Sequence, residues 1–165
     1  MKQEVVYKDV LQILNEFMDG SGLRKFCQEV CKGCCCNPAR VDGYACCQTV
    51  SCRDKITCVH YMCGRLNTLI GHSFVYAERY VFLRKWLDSI ERAVNEFWYE
   101  LNVRSQGGIP GPFFQDWLIS LDELINMRVS VDAPRRIRKI PVTITRMIRR
   151  HIDENWEALV NHTYS

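Results

Sequence analysis

Hydrophobic positions recur at helical spacing through most of this chain, and one stretch in the first half breaks the pattern. Val6, Val10, Ile13, Leu14, Phe17 and Met18 fall on one stripe, and Gly20-Ser21-Gly22 closes it. The spacing predicts a helix over residues 3–18, within an N-terminal helical segment 1–22. From Leu66 the longest regular signal begins: Leu66, Leu69, Ser73, Tyr76, Tyr80, Leu83, Leu87, Ile90, Val94, Phe97 and Leu101 alternate three- and four-residue steps. That is a heptad seam, weakened at Gly71-His72-Ser73. Phe74, Phe82, Trp86 and Trp98 lie off the seam, so the apolar face is wider than a two-stranded coiled coil needs. The central helix of a bundle is the better reading, and it leaves homodimerisation through residues 66–101 open.

Residues 104–112 carry the turn formers of a loop. A helix is expected from about Phe113 to Met127, with Phe114, Trp117, Leu118, Leu121, Leu124 and Ile125 on one face. Two prolines between Ser130 and Pro141 predict irregular chain. Thr143 or Thr145 then caps a last helix to about Val160, with Ile144, Met147, Ile148, Ile152, Trp156 and Leu159 inward. No strand–helix alternation and no internal repeat are visible. The expected class is mostly α: one domain over 1–165, made of a helical bundle with an irregular cysteine-rich metal-binding module inserted at 23–64. Residues 65–165 complete the bundle and end in a basic segment.

The break in the pattern is where the chemistry lies. All ten cysteines fall between Cys27 and Cys63, at Cys27, Cys31, Cys34, Cys35, Cys36, Cys46, Cys47, Cys52, Cys58 and Cys63. Gly33, Pro38 and Gly43 mark turns between them. Thiols clustered this densely form either a disulfide framework, in a secreted chain, or a metal site, in a reducing compartment. The first residues are charged throughout and lack a signal peptide's apolar core, and no run reaches the ~20 apolar residues of a membrane span. The expectation is therefore a cytoplasmic protein with no membrane association and with reduced, metal-binding sulfurs. The Asn161-His162-Thr163 sequon is then a chance match.

Cys31-Lys32-Gly33-Cys34 is a CxxC knuckle, whose turn presents two sulfurs to one ion. Cys58 and Cys63 offer a second pair. With Cys27, Cys35, Cys46, Cys47 and Cys52 also at hand, two sites are affordable in ligand number, although Cys34, Cys35 and Cys36 cannot all face one ion. Zinc needs only four thiolates and is the preferred cofactor; an iron–sulfur cluster fits the same ligand set and is the alternative. The Cys27-x3-Cys31-x2-Cys34 spacing also occurs in radical S-adenosylmethionine enzymes, but their large βα barrel has no counterpart here. The order CxxCC followed by CxxYxC and an arginine resembles the small bacterial zinc- or iron-chelating cysteine-cluster proteins. The matching residues are Cys31 to Cys35 and Cys58-Val59-His60-Tyr61-Met62-Cys63-Gly64-Arg65. This resemblance implies metal chelation and no defined activity. The chain departs from the pattern at Cys36, at the Cys46-Cys47 doublet and in lacking a proline near Cys63.

No catalytic constellation accompanies the sulfurs. A redox CxxC would require a βαβ context. His60 and His72 read as packed or surface histidines before ligands, and Asp122-Glu123 and Asp153-Glu154 are adjacent helical carboxylates that point apart. Net charge is +3, but it is uneven. The segment after Met127 holds Arg128, Arg135, Arg136, Arg138, Lys139, Arg146, Arg149 and Arg150 against Asp132, Asp153, Glu154 and Glu157. Arg135, Arg136, Arg138, Lys139, Arg146, Arg149 and Arg150 are the candidate partner-binding residues. They suit a phosphate backbone or an acidic protein surface, with a solvated helix face as the bland alternative. The resulting expectation is a non-enzymatic metal-binding protein with structural zinc that contacts a protein or nucleic-acid partner. Its alternatives are an iron–sulfur redox or sensor protein, and a nucleic-acid-binding protein using Arg135–Arg150.

Overall fold

The computed structural model describes residues 1–31, 53–60, 62–104 and 119–162. The predicted turns at Gly33, Pro38 and Gly43, the loop expected at 104–112 beyond Arg104 (which ends a helix instead) and the first turns of the helix expected from Phe113 lie outside them. The described residues are mostly helical, as the spacing of apolar positions predicts. Strand β1 (Lys2–Val6) leads into α1 (Tyr7–Gly20), followed by α2 (Leu23–Glu29), α3 (Ile56–His60), α4 (Gly64–His72) and the long α5 (Ala77–Arg104). After these come α6 (Leu121–Ile125), β2 (Arg128–Asp132), α7 (Pro134–Arg138), α8 (Val142–Glu154) and α9 (Trp156–His162).

Helix α1 is the hub. Tyr7, Val10, Leu14, Phe17 and Met18 are buried along one stripe, and α2, α3, α6, α7 and α8 all pack on it. Aromatic edges fasten it to α5: the Tyr7 and Phe97 rings meet at 5.3 Å, and Phe17 meets Trp86 at 5.0 Å. Both separations lie in the range where edge-to-face geometry is favourable. The seam of α5 is spent inside the fold, because Leu83, Leu87, Ile90, Val94, Phe97 and Leu101 are all buried. Trp86, off the seam, is buried with them, so the inward face is as broad as expected.

The differences from the sequence reading have local causes. Residues 3–6 were expected to begin a helix, but Lys2–Val6 pairs antiparallel with Arg128–Asp132, so the helix starts at Tyr7. Val5 faces Val129 across the ladder, and Val129 and Val131 are buried on alternate positions. β-branched pairs stabilise such a face, and the gain from pairing outweighs one more helical turn. The same pairing orders part of the stretch expected to be irregular, and Pro134 starts α7, where a proline lacks only an amide that would go unpaired anyway. The heptad run is two helices: Ser73 caps α4, its hydroxyl donating to the Leu69 carbonyl at 2.9 Å, and α5 restarts at Ala77. Tyr76, a seam position, is exposed in that break, as is Phe82 off the seam. The final helix starts at Val142 and breaks at Asn155, whose side chain donates to the His151 carbonyl. Gly22 has φ +78°, and a β-carbon there would sit 3.2 Å from the Arg149 side chain, so this turn into α2 requires glycine.

Candidate functional site

The cysteine-rich segment leaves the described structure after Cys31 and returns at Arg53, and both of its flanks are fastened to α1. Asp19, in the last turn of α1, accepts from Arg24 Nη1 at 2.9 Å and from Arg53 Nη1 and Nη2 at 3.0 and 2.6 Å. Asn15, one turn earlier on α1, repeats the arrangement: its carbonyl oxygen accepts from Arg24, and its amide donates to the Arg53 carbonyl at 2.9 Å. One carboxylate and one carboxamide thus tie position 24 to position 53. The returning chain and the start of α3 are then held inside the core. Ile56 N–H donates to the Tyr7 hydroxyl at 2.8 Å, Lys55 is buried with its Nζ donating to the Ile119 carbonyl, and Ile56, Thr57 and Val59 are buried. Partial burial pushes the Asp19 carboxyl up, but the Arg53 hydrogen bond and the charges of Arg24 and Arg53 outweigh it and hold the group below its ordinary value.

Of the expected metal ligands, Cys31 is buried, while Cys27 on α2, Cys58 on α3 and Cys63 at the start of α4 are half-buried. Cys34, Cys35, Cys36, Cys46, Cys47 and Cys52 lie outside the described residues. Among the described residues, no group of three or more His, Cys, Asp or Glu side chains is gathered as a metal centre. His60 lines a cavity of about 180 Å³ with Met62, Asn67, Arg84, Leu87, Asp88 and Glu91. Burial lowers its pKa, with the Glu91 charge opposing.

The basic residues divide into committed and uncommitted groups. Arg149 Nε bonds Asp153 at 3.1 Å, and Arg150 Nε bonds Glu154 at 2.7 Å, so the paired carboxylates of α8 serve as partners for its own arginines. Arg138 reaches the Glu4 carbonyl. Arg135 and Arg146 are exposed. Arg136 and Lys139 instead turn towards α5 and line a groove of about 580 Å³ with Phe82, Lys85, Trp86, Asp88, Ser89 and Arg92. The sequence reading missed Lys85 and Arg92, because single cations spaced along a helix look like ordinary solvated surface. It also missed Asp19, Arg24 and Arg53, which are brought together only by the fold. No described helix is long and apolar enough to cross a membrane. Compared with known proteins, the chain matches no family model, no curated protein and no solved structure.

Proposed function

We propose that this chain is a non-enzymatic metal-binding protein whose cysteine-rich segment closes around zinc through thiolate ligands. The observation that carries the reading is the double tether of Asp19 and Asn15 to Arg24 and Arg53. Bringing the ends of a long loop together costs conformational entropy, and a metal site inside the loop forms more readily when that cost is already met by the scaffold. Cys27, Cys31, Cys58 and Cys63 stand at the two flanks, and the remaining six cysteines lie between them. The full ligand set has to draw on those inner residues, because the described ones do not by themselves make a centre. A closed set of four thiolates supports a structural rather than a catalytic role. The motif likeness of Cys31–Cys35 and Cys58–Arg65 to metal-chelating cysteine-cluster proteins supports the same reading.

Anaerobic purification followed by elemental analysis and an absorption spectrum tests it. The expected result is colourless protein with about one to three equivalents of zinc, whose removal by chelator abolishes the cooperative thermal transition. A coloured protein that bleaches on reduction would assign the same sulfurs to an iron–sulfur cluster. Metal-free protein with an unchanged transition overturns the proposal.

A further inference from the structure

The groove between α5 and α7 is a concave surface where several cations converge without partners among the described residues. Lys85, Asp88, Ser89 and Arg92 occupy positions i, i+3, i+4 and i+7 of α5, so they share one face of that helix. Arg136 on α7 and Lys139 just beyond it form the opposite wall. Lys85, Arg92, Arg136 and Lys139 are all exposed, and among the described residues none of their side chains is in an ion pair or hydrogen bond. This contrasts with Arg149 and Arg150, which are neutralised one turn along their own helix. Asp88 is the single carboxylate in the lining. Four like charges held around one cavity repel each other, and a polyanion relieves that repulsion.

Two further features narrow the class of ligand. The cationic face of α5 runs from Lys85 to Arg92, about 10 Å of helix axis, which is longer than one phosphate group spans. An apolar platform adjoins it: Phe82 is 50% exposed one turn before Trp86, whose buried indole is anchored by its Nε1 donating to the Ile137 carbonyl at 3.4 Å. An exposed aromatic ring at the head of a cationic track is the arrangement that stacks a base while neighbouring cations hold phosphates. We propose that this groove binds single-stranded nucleic acid, with successive phosphates on Lys85, Arg92, Arg136 and Lys139 and a base against Phe82. The assignment does not depend on the cysteine-rich segment; of the basic residues Arg135–Arg150 it keeps Arg136 and Lys139, adds Lys85 and Arg92 of α5, and leaves out the α8 arginines.

Fluorescence anisotropy of the 165-residue chain as purified, with a labelled oligouridine, tests the proposal. Four phosphate contacts on a single strand give a plot of log affinity against log salt with a slope of about −3. Lys85→Gln/Arg92→Gln removes two of them, so the slope falls by about half and affinity drops about 25-fold at about 0.1 M salt. Phe82→Ala weakens binding about fivefold or more with the slope unchanged. Arg149→Gln/Arg150→Gln removes the same formal charge and changes affinity by less than about twofold, since those arginines are already paired. Arg136→Gln/Lys139→Gln reads the opposite wall and replaces the α5 variant should that one lose its helical spectrum. Absence of salt-sensitive binding overturns the proposal, as does an equal loss in the α8 control. Equal affinity for a duplex or for polyglutamate overturns the single-strand assignment.

Discussion

Asp19→Ala tests whether the scaffold holds the cysteine-rich segment by its flanks. The Asp19 carboxylate serves two arginines in different surroundings. The Arg24 side chain is 10% exposed, so its hydrogen bond is shielded from water, whereas Arg53 is 51% exposed and Asp19 itself 42%. A charge-assisted hydrogen bond on a nearly buried guanidinium contributes about 1.5–3 kcal/mol. An exposed ion pair contributes about 0–1 kcal/mol. Asp19→Ala should therefore cost about 2–3 kcal/mol, most of it from the lost bond to the nearly buried Arg24, which keeps Asn15 as a partner. For a chain of this size that is a fall in Tm of about 5–10 °C. Arg53→Ala removes the exposed pair while Arg24 keeps its bond to Asp19, and should lower Tm by no more than about 4 °C. Circular dichroism melts at neutral pH measure both; on the proposed zinc-binding reading, zinc transfer to a competing chelator should also be faster in both variants. A drop below 2 °C for Asp19→Ala refutes the reasoning, and so does an Arg53→Ala effect as large as that of Asp19→Ala.

The same carboxylate sets an acid limit. Because its folded pKa lies below the ordinary 3.8, its contribution is complete above that value and is lost as pH falls through it towards the folded pKa. The stability gap between wild type and Asp19→Asn should be flat near neutrality and should close on acidification below 3.8. Tyr7→Phe removes the buried hydroxyl that accepts from Ile56 N–H at 2.8 Å, at a cost of about 1–3 kcal/mol, and hydrogen exchange should accelerate first at Ile56. Uniform acceleration across α1 and α5 would contradict that local role.

The long helices were legible because their apolar positions repeat over several turns and point to one core, whereas the short α2, α3 and α7 fall in stretches expected to be irregular. The stripe of α1 from Val10 to Met18 and the inward face of α5 from Leu83 to Leu101 are buried as the spacing demands. Sheet pairing was not legible. Val5 and Val6 fit a helical stripe as well as a short strand, and what decides between them is a partner at Val129, far along the chain. The candidate groove was half legible. Arg136 and Lys139 stand out in a basic run, whereas Lys85 and Arg92 join them only through the packing of α7 against α5. The tether of Asp19 was hidden for the same reason. An aspartate at a helix end and two isolated arginines carry no local pattern, and their meeting is a product of the tertiary fold.

The ladder between Lys2–Val6 and Arg128–Asp132 also bears on how the molecule is made. During synthesis the leading strand has no template until its mate emerges, a wait of about 6–25 s at ordinary ribosomal speeds. Its exposed Lys2 and Glu4 discourage stray edge-to-edge association in that interval. Nascent chains stalled before position 128 should therefore expose an unsatisfied edge, giving a chaperone a period in which to engage the newborn polypeptide.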